Sequence, residues 1–230
     1  MVSRLLALCL LGAAAPALAD GPEQLDQIEP ARGHWQLEYY GAFGVHAGEA
    51  VFGVTDQLVL GGEAEFEGRR GGLRLDTVSA VALYRFADPD KAPLGVGLEL
   101  QGGIDRAGRF AEAEARLILE RRSPRWWVQF DAIGRHSRDG GTSGTGLAYS
   151  ASASRALRDG IWLGVEASGQ MARLSGDAEL TPRGQHYIGP SLTIEREAGE
   201  TGLELGFAWL QRVRGKGPGS GPRVFLQVTL

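Results

Sequence analysis

Between Leu58 and Glu67 apolar and polar residues alternate with a period of two. Leu58, Leu60, Gly62, Ala64 and Phe66 fall on one face; Val59, Gly61, Glu63, Glu65 and Glu67 fall on the other. That period marks a strand whose two faces meet different media. The same rule predicts a strand over 34–43, with Trp35, Leu37, Tyr39, Gly41 and Phe43 opposite His34, Gln36, Glu38, Tyr40 and Ala42. A loop at His46-Ala47 and a short second strand over 49–52 precede the Gly53-Val54-Thr55-Asp56 turn. A fourth strand, 73–86, changes parity midway; one extra residue near 77–79 reconciles its halves, since a bulge flips the faces.

The alternation continues to the end of the chain. Leu94, Val96, Leu98 and Leu100 oppose Gly97, Glu99 and Gln101. Over 110–120, Ala111 to Leu119 oppose Glu112, Glu114, Arg116, Ile118 and Glu120. Ala, Glu, Leu and Arg also form helices readily, but the unbroken alternation predicts a strand. Trp126, Val128, Phe130 and Ala132 then oppose Trp127, Gln129, Asp131 and Ile133. After a Gly/Ser loop at 138–144 come strands at 147–154 and 161–171, the latter carrying Glu166 on its polar face. A longer loop at 175–185 leads to 187–195, where Pro190 argues for a local bulge. Leu203, Leu205, Phe207 and Trp209 oppose Glu204, and after a GKGPGSGP loop Val224, Leu226, Val228 and Leu230 complete the pattern.

Twelve strands of one parity predict an all-β protein: a single closed antiparallel transmembrane β-barrel of about twelve strands, of the outer-membrane type. The apolar face then meets lipid and the polar face a wet lumen. The turns at 53–57, 87–93, 123–125, 157–160 and 195–200 fall on the side of the chain termini, the periplasmic side. The Gly/Ser loops at 138–144, 175–185 and 214–221 fall outside. Trp35, Tyr84, Phe86 and Trp126 sit near the periplasmic strand ends, where an aromatic girdle belongs. Thirty-five glycines in 230 residues suit many turns and thin strands, and mean hydropathy near neutral is what one apolar and one polar face average to.

The N-terminus reads as a secretory signal peptide over 1–19: Arg4, an apolar run from Leu5 to Ala15, and the cleavage signature Ala17-Leu18-Ala19. Its removal takes Arg4 and Cys9 with it, so the formal charge of −4 falls by one to −5 and the mature chain carries no cysteine. Residues 20–32, polar and with two prolines, are expected to form a disordered periplasmic lead-in, and 33–230 the barrel. The mild charge lacks the basic footprint of a nucleic-acid binder.

Chemistry is sparse. His34, His46, His136 and His186 show no metal-ligand spacing. His136 and Ser137 adjoin in one strand and therefore point to opposite faces. No catalytic residues, metal or cofactor are expected, and the chain is read as not an enzyme. The informative surface is the inward one: Glu38, Glu63, Glu65, Glu99, Glu112, Glu114, Arg116, Gln129, Asp131, Glu166 and Glu204 are assigned to the lumen wall. Such a wall either cross-bonds a plugged interior or favours cations in a narrow pore. Glu63 and Glu65 repel each other unless water, cations or arginines intervene, which argues against a wholly dry interior.

Phe52-Gly53-Val54-Thr55-Asp56-Gln57-Leu58-Val59-Leu60-Gly61 resembles the periplasmic turn of proteobacterial outer-membrane barrels, including the phenol-degradation meta-pathway transporter-like group and the copper-resistance B-type barrels. Leu157 to Glu166 repeats that hairpin, and Tyr187 to Leu192 resembles a late strand of the same barrels. The likeness spans residues 33–230. It departs at Leu230, where such barrels end in Phe or Trp for the insertion machinery, and in lacking the His/Met-rich segment of copper-resistance proteins. The resemblance implies partners in outer-membrane lipid and that insertion machinery, while the apolar/acidic alternation itself points to a passive small-solute channel or transporter-like protein with an acid-rich lumen, suited to cationic or polar solutes. The alternatives are a non-conducting structural or interaction barrel, a soluble periplasmic binding barrel, and a barrel-type lipid hydrolase.

Overall fold

In the computed structural model, which describes residues 23–28, 31–69, 72–199 and 201–230, the alternating segments pair with their neighbours and the last returns to the first. Among the described residues there are twelve strands: β1 Trp35–Ala42, β2 Val45–Gly53, β3 Leu58–Arg69, β4 Gly72–Ala87, β5 Gly95–Asp105, β6 Phe110–Arg122, β7 Trp126–Asp139, β8 Thr142–Arg158, β9 Ile161–Gly176, β10 His186–Ala198, β11 Thr201–Arg214 and β12 Ser220–Thr229. β1 closes on β12 from Gln36↔Thr229 to Ala42↔Arg223, so the sheet has no free edge. Closure lets backbone groups pair within the sheet, as hydrocarbon demands.

The outward parity is apolar and open. Leu100, Val165, Phe207 and Trp126 are each about half exposed, among many large apolar side chains on that face. A belt of this kind is the surface a barrel offers to lipid, and it rules out the soluble alternative, whose apolar face turns inward. Trp35 packs on Phe52 with ring centroids 5.1 Å apart, and Tyr84 on Phe86 at 5.0 Å, at the end of the barrel that carries the termini.

Several details differ from the sequence reading. The second strand is nine residues, not four; His46 and Ala47 lie within it, because Phe43 and Gly44 alone make the turn. Both have positive φ, 50° and 91°, as a two-residue type I′ hairpin requires. The loop expected at 138–144 shrinks to Gly140-Gly141, with Arg138 and Thr142 already paired. The fourth strand does hold its extra residue, at Asp76: Thr77 opposes Glu65 and Leu75 opposes Phe66. Pro190 needs no bulge. It faces out, paired with Val165, and the register shift lies earlier, between His186 and Tyr187.

The largest difference concerns the lead-in. Residues 23–28 lie inside the barrel rather than disordered beneath it. Ile28 is buried among Val51, Val59, Val81, Leu83 and Ile118. Arg32 bridges Gly53 in parallel, Gly33 N donates to Gly53 O at 2.8 Å, and Gly53 N to His34 O at 3.0 Å. A Cβ on Gly53 would stand 2.1 Å from the Ala31 carbonyl oxygen. Only glycine lets the strap pass so close. The leader 1–19 lies outside the described residues.

Candidate functional site

The interior is stratified by what the inward positions carry. At the periplasmic end the apolar cluster around Ile28 fills one side. On the other, the Arg122 guanidinium lies 4.5 Å from the centre of the Trp127 ring and 5.5 Å from Trp162, and pairs with Glu195. Trp162 Nε1 donates to Glu195 Oε2 at 2.6 Å, and Trp127 Nε1 to Glu120 Oε1 at 2.7 Å. Asp90, Arg122, Arg158, Trp162 and Glu195 border an open cleft of about 480 Å³ at this mouth.

The middle layer is ionic. Arg116, on β6, pairs with Asp26 of the strap, with Glu114 at 2.8 Å and with Asp131 at 3.7 Å. Arg135, on β7, holds Glu114 at 2.7 Å and Glu23 at 2.8 Å. Glu114 thus sits between two guanidiniums, each of which also grips one strap carboxylate. Buried charges persist only when paired and hydrogen-bonded. Here the strap supplies two of the acids that satisfy the wall's bases. Arg223, on β12, pairs with Glu166 at 2.7 Å.

Hydrogen bonds beyond these ion pairs complete the fit. Gln24 Nε2 donates to Glu38 Oε1 at 2.7 Å, and Gln27 Nε2 to Glu204 Oε1 at 3.0 Å. Ser150 Oγ and Arg116 Nη1 both donate to the Gln24 carbonyl, at 2.8 and 3.1 Å. The amides of Asp26 and Ile28 donate to Asp131 and Glu120, at 2.9 and 3.4 Å. Beside Leu25 and Gln27 a cavity of about 10 Å³ is left, bordered by Gln129, Ser152, Glu166 and Arg223. Gln129 Nε2 and Arg223 Nε have no protein partner, and the space fits about one water.

All eleven residues assigned to the wall from sequence lie at inward positions, buried or half-buried. The strap meets Glu38, Arg116, Asp131 and Glu204 directly, and Glu114 through Arg116 and Arg135. Glu63 accepts from Gln101 Nε2 at 2.8 Å, Glu112 from Ser79 Oγ at 3.3 Å, and Gln129 from Ser152 Oγ at 2.9 Å, so these stay within the wall. Glu65 shares the outer half of the interior with Glu112, and Glu99 lies buried on β5 opposite Arg116 in register. Sequence reasoning missed Glu23, Asp26, Glu49 and Arg223. Arg223 was readable from its parity with Phe225 and Gln227; the strap acids carry no strand period that would reveal them. His136 faces outward, stacked on Phe110 with Nδ1 2.8 Å from Thr145 Oγ1, away from Ser137.

Comparison with known proteins places this geometry in context. No family model matches the chain, and no curated protein matches it. Solved structures do. The COG4313 outer membrane channel from Pseudomonas putida F1 is similar with a TM-score of 0.57 at 13% identity, over 90% of this chain and 99% of that one. LpxR from Salmonella typhimurium matches with a TM-score of 0.45 at 8% identity, over 86% and 99% of the two chains. OmpT, an outer membrane protein of Vibrio cholerae, matches at 0.38 and 10% identity, over 85% and 95%. The chain is therefore a β-barrel of the bacterial outer-membrane type. One expectation is corrected. The reading of the chain as not an enzyme is withdrawn, because a barrel of this type does not by itself exclude catalysis.

Proposed function

We propose that the protein is a passive outer-membrane channel for small cationic or polar solutes, held closed by its own residues 23–28. The observation that carries this reading is what fills the interior. Its middle is occupied by a tethered segment, where a purely structural barrel would be filled by wall side chains meeting one another. With the segment withdrawn, an acid-rich wall faces the axis, with Glu38, Glu49, Glu63, Glu65, Glu99 and Glu112 all inward, and such walls favour cations. The reading accords with the resemblance to the meta-pathway transporter-like barrels. The rival reading, a non-conducting barrel, has one observation in its favour: the cavity beside the strap is water-sized.

Planar-bilayer recording separates the two. The wild-type protein is expected to open rarely and with cation preference, and Glu23→Gln with Asp26→Asn to open far more often. Glu63→Lys with Glu65→Lys is expected to lower the cation preference several-fold. Current no greater than the lipid background from both the wild type and the loosened variant overturns the channel.

A further inference from the structure

We infer that the inner wall is a binding groove for short extended peptides, in which residues 23–28 are the resident, tethered ligand. The proposal rests on the channel reading only for access to the groove. Its ground is how the segment is held. Main-chain groups of alternate residues, the Gln24 carbonyl and the Asp26 and Ile28 amides, are met by Arg116 and Ser150, by Asp131 and by Glu120. Contacts at every second residue are how a sheet or groove reads an extended chain, and backbone groups are common to all peptides.

Side-chain subsites add selectivity. Glu23 meets Arg135 and Gln170, Asp26 meets Arg116, and Ile28 enters the pocket of Val51, Val59, Val81, Leu83 and Ile118. The ligand class that follows is an extended peptide with two acids three residues apart and an aliphatic residue two beyond the second. The groove does not need its occupant in order to exist. Glu114 bridges Arg116 and Arg135 from the wall itself, at 2.8 and 2.7 Å, so both guanidiniums stay positioned when the strap acids leave. A preorganised site of this kind loses little on exchanging one peptide for another.

Competition in the full chain tests it. Gly97 lies where an added Cβ would stand 3.4 Å from Ile28 Cγ1, close enough for Ile28→Cys with Gly97→Cys to form a disulfide. The one native cysteine, Cys9, lies in the predicted leader. The rate of cross-linking reports strap occupancy. A tether gives the strap an effective concentration near millimolar, so the free hexapeptide Glu-Gln-Leu-Asp-Gln-Ile at about 10 mM should slow cross-linking about tenfold. The peptide with Asn for Asp, and a shuffled peptide, should slow it little. An unchanged rate, or equal slowing by the shuffled peptide, overturns the groove. In parallel, binding of the fluorescein-labelled hexapeptide to the full chain carrying Glu23→Gln and Asp26→Asn should exceed wild-type binding about tenfold; no increase also overturns it. Neither readout uses current. Peptide binding without conduction therefore sinks the channel and keeps the groove, and conduction without a peptide effect does the reverse.

Discussion

Phe43 holds a φ of 50°, a conformation that normally costs a non-glycine residue about 1–3 kcal/mol. Its ring is retained by packing, 5.4 Å from the Tyr187 ring and against Tyr40, Ala42 and Ala47. At Gly53 the constraint is space. Gly53→Val drives a side chain into the Ala31 carbonyl, so the Gly33 amide should lose at least about tenfold of its hydrogen-exchange protection, about 1.4 kcal/mol. Barrel amides such as those of β7 and β8 should be unaffected. Loss of protection throughout the sheet would show that the strap is part of the barrel's global stability. Asp88, in the periplasmic turn after β4, accepts from Lys91 Nζ at 2.8 Å and from the Asp90 amide at 3.0 Å. Led by the Lys91 bond, these contacts hold its carboxyl below the ordinary 3.8. A depressed folded pKa means stabilisation present above pH 3.8 and lost as pH falls through the lower folded value. An NMR titration of the Asp88 carboxyl should give a midpoint below 3.8; one at or above it removes the turn's acid sensitivity.

At the scale of elements, the strands were legible because their two faces meet lipid and lumen, and selection on each face leaves a period of two. Even the parity slip in β4 was readable, within a residue of Asp76. Loop lengths were not. Gly140-Gly141 and Phe43-Gly44 close hairpins whose flanking residues look loop-like in isolation but pair in register. Lipid contact also sets the cost of change. Leu117 opposes Ala132, six residues up β7 from the girdle residue Trp126, which is about 20 Å along the strand and about 15 Å up a barrel of ordinary tilt. Leu117→Arg should therefore cost about 2–4 kcal/mol in reversible unfolding from lipid vesicles. A change below about 0.5 kcal/mol, the size of an ordinary surface substitution, would place Leu117 outside the hydrocarbon.

For the whole molecule, the wall was readable and its occupant was not. The strap has no periodicity, and its partners are remote in sequence: Ile28 reaches Glu120, 92 residues on, and Gln27 reaches Glu204, 177 residues on. Nothing local in Glu23–Ile28 announces those contacts. The charges hinted at them, since the wall's buried Arg116 has three acids around it and one of these, Asp26, comes from the strap. The strand lengths carry a further consequence. β1 and β2 span 8 and 9 residues, whereas β8 and β9 span 17 and 16. The outer rim is therefore a slope, with a tall parapet over β8 and β9 and a low sill at the β1–β2 hairpin. A molecule diffusing across the cell surface meets a high wall on one side and a low one on the other, where Phe43 stands at the turn.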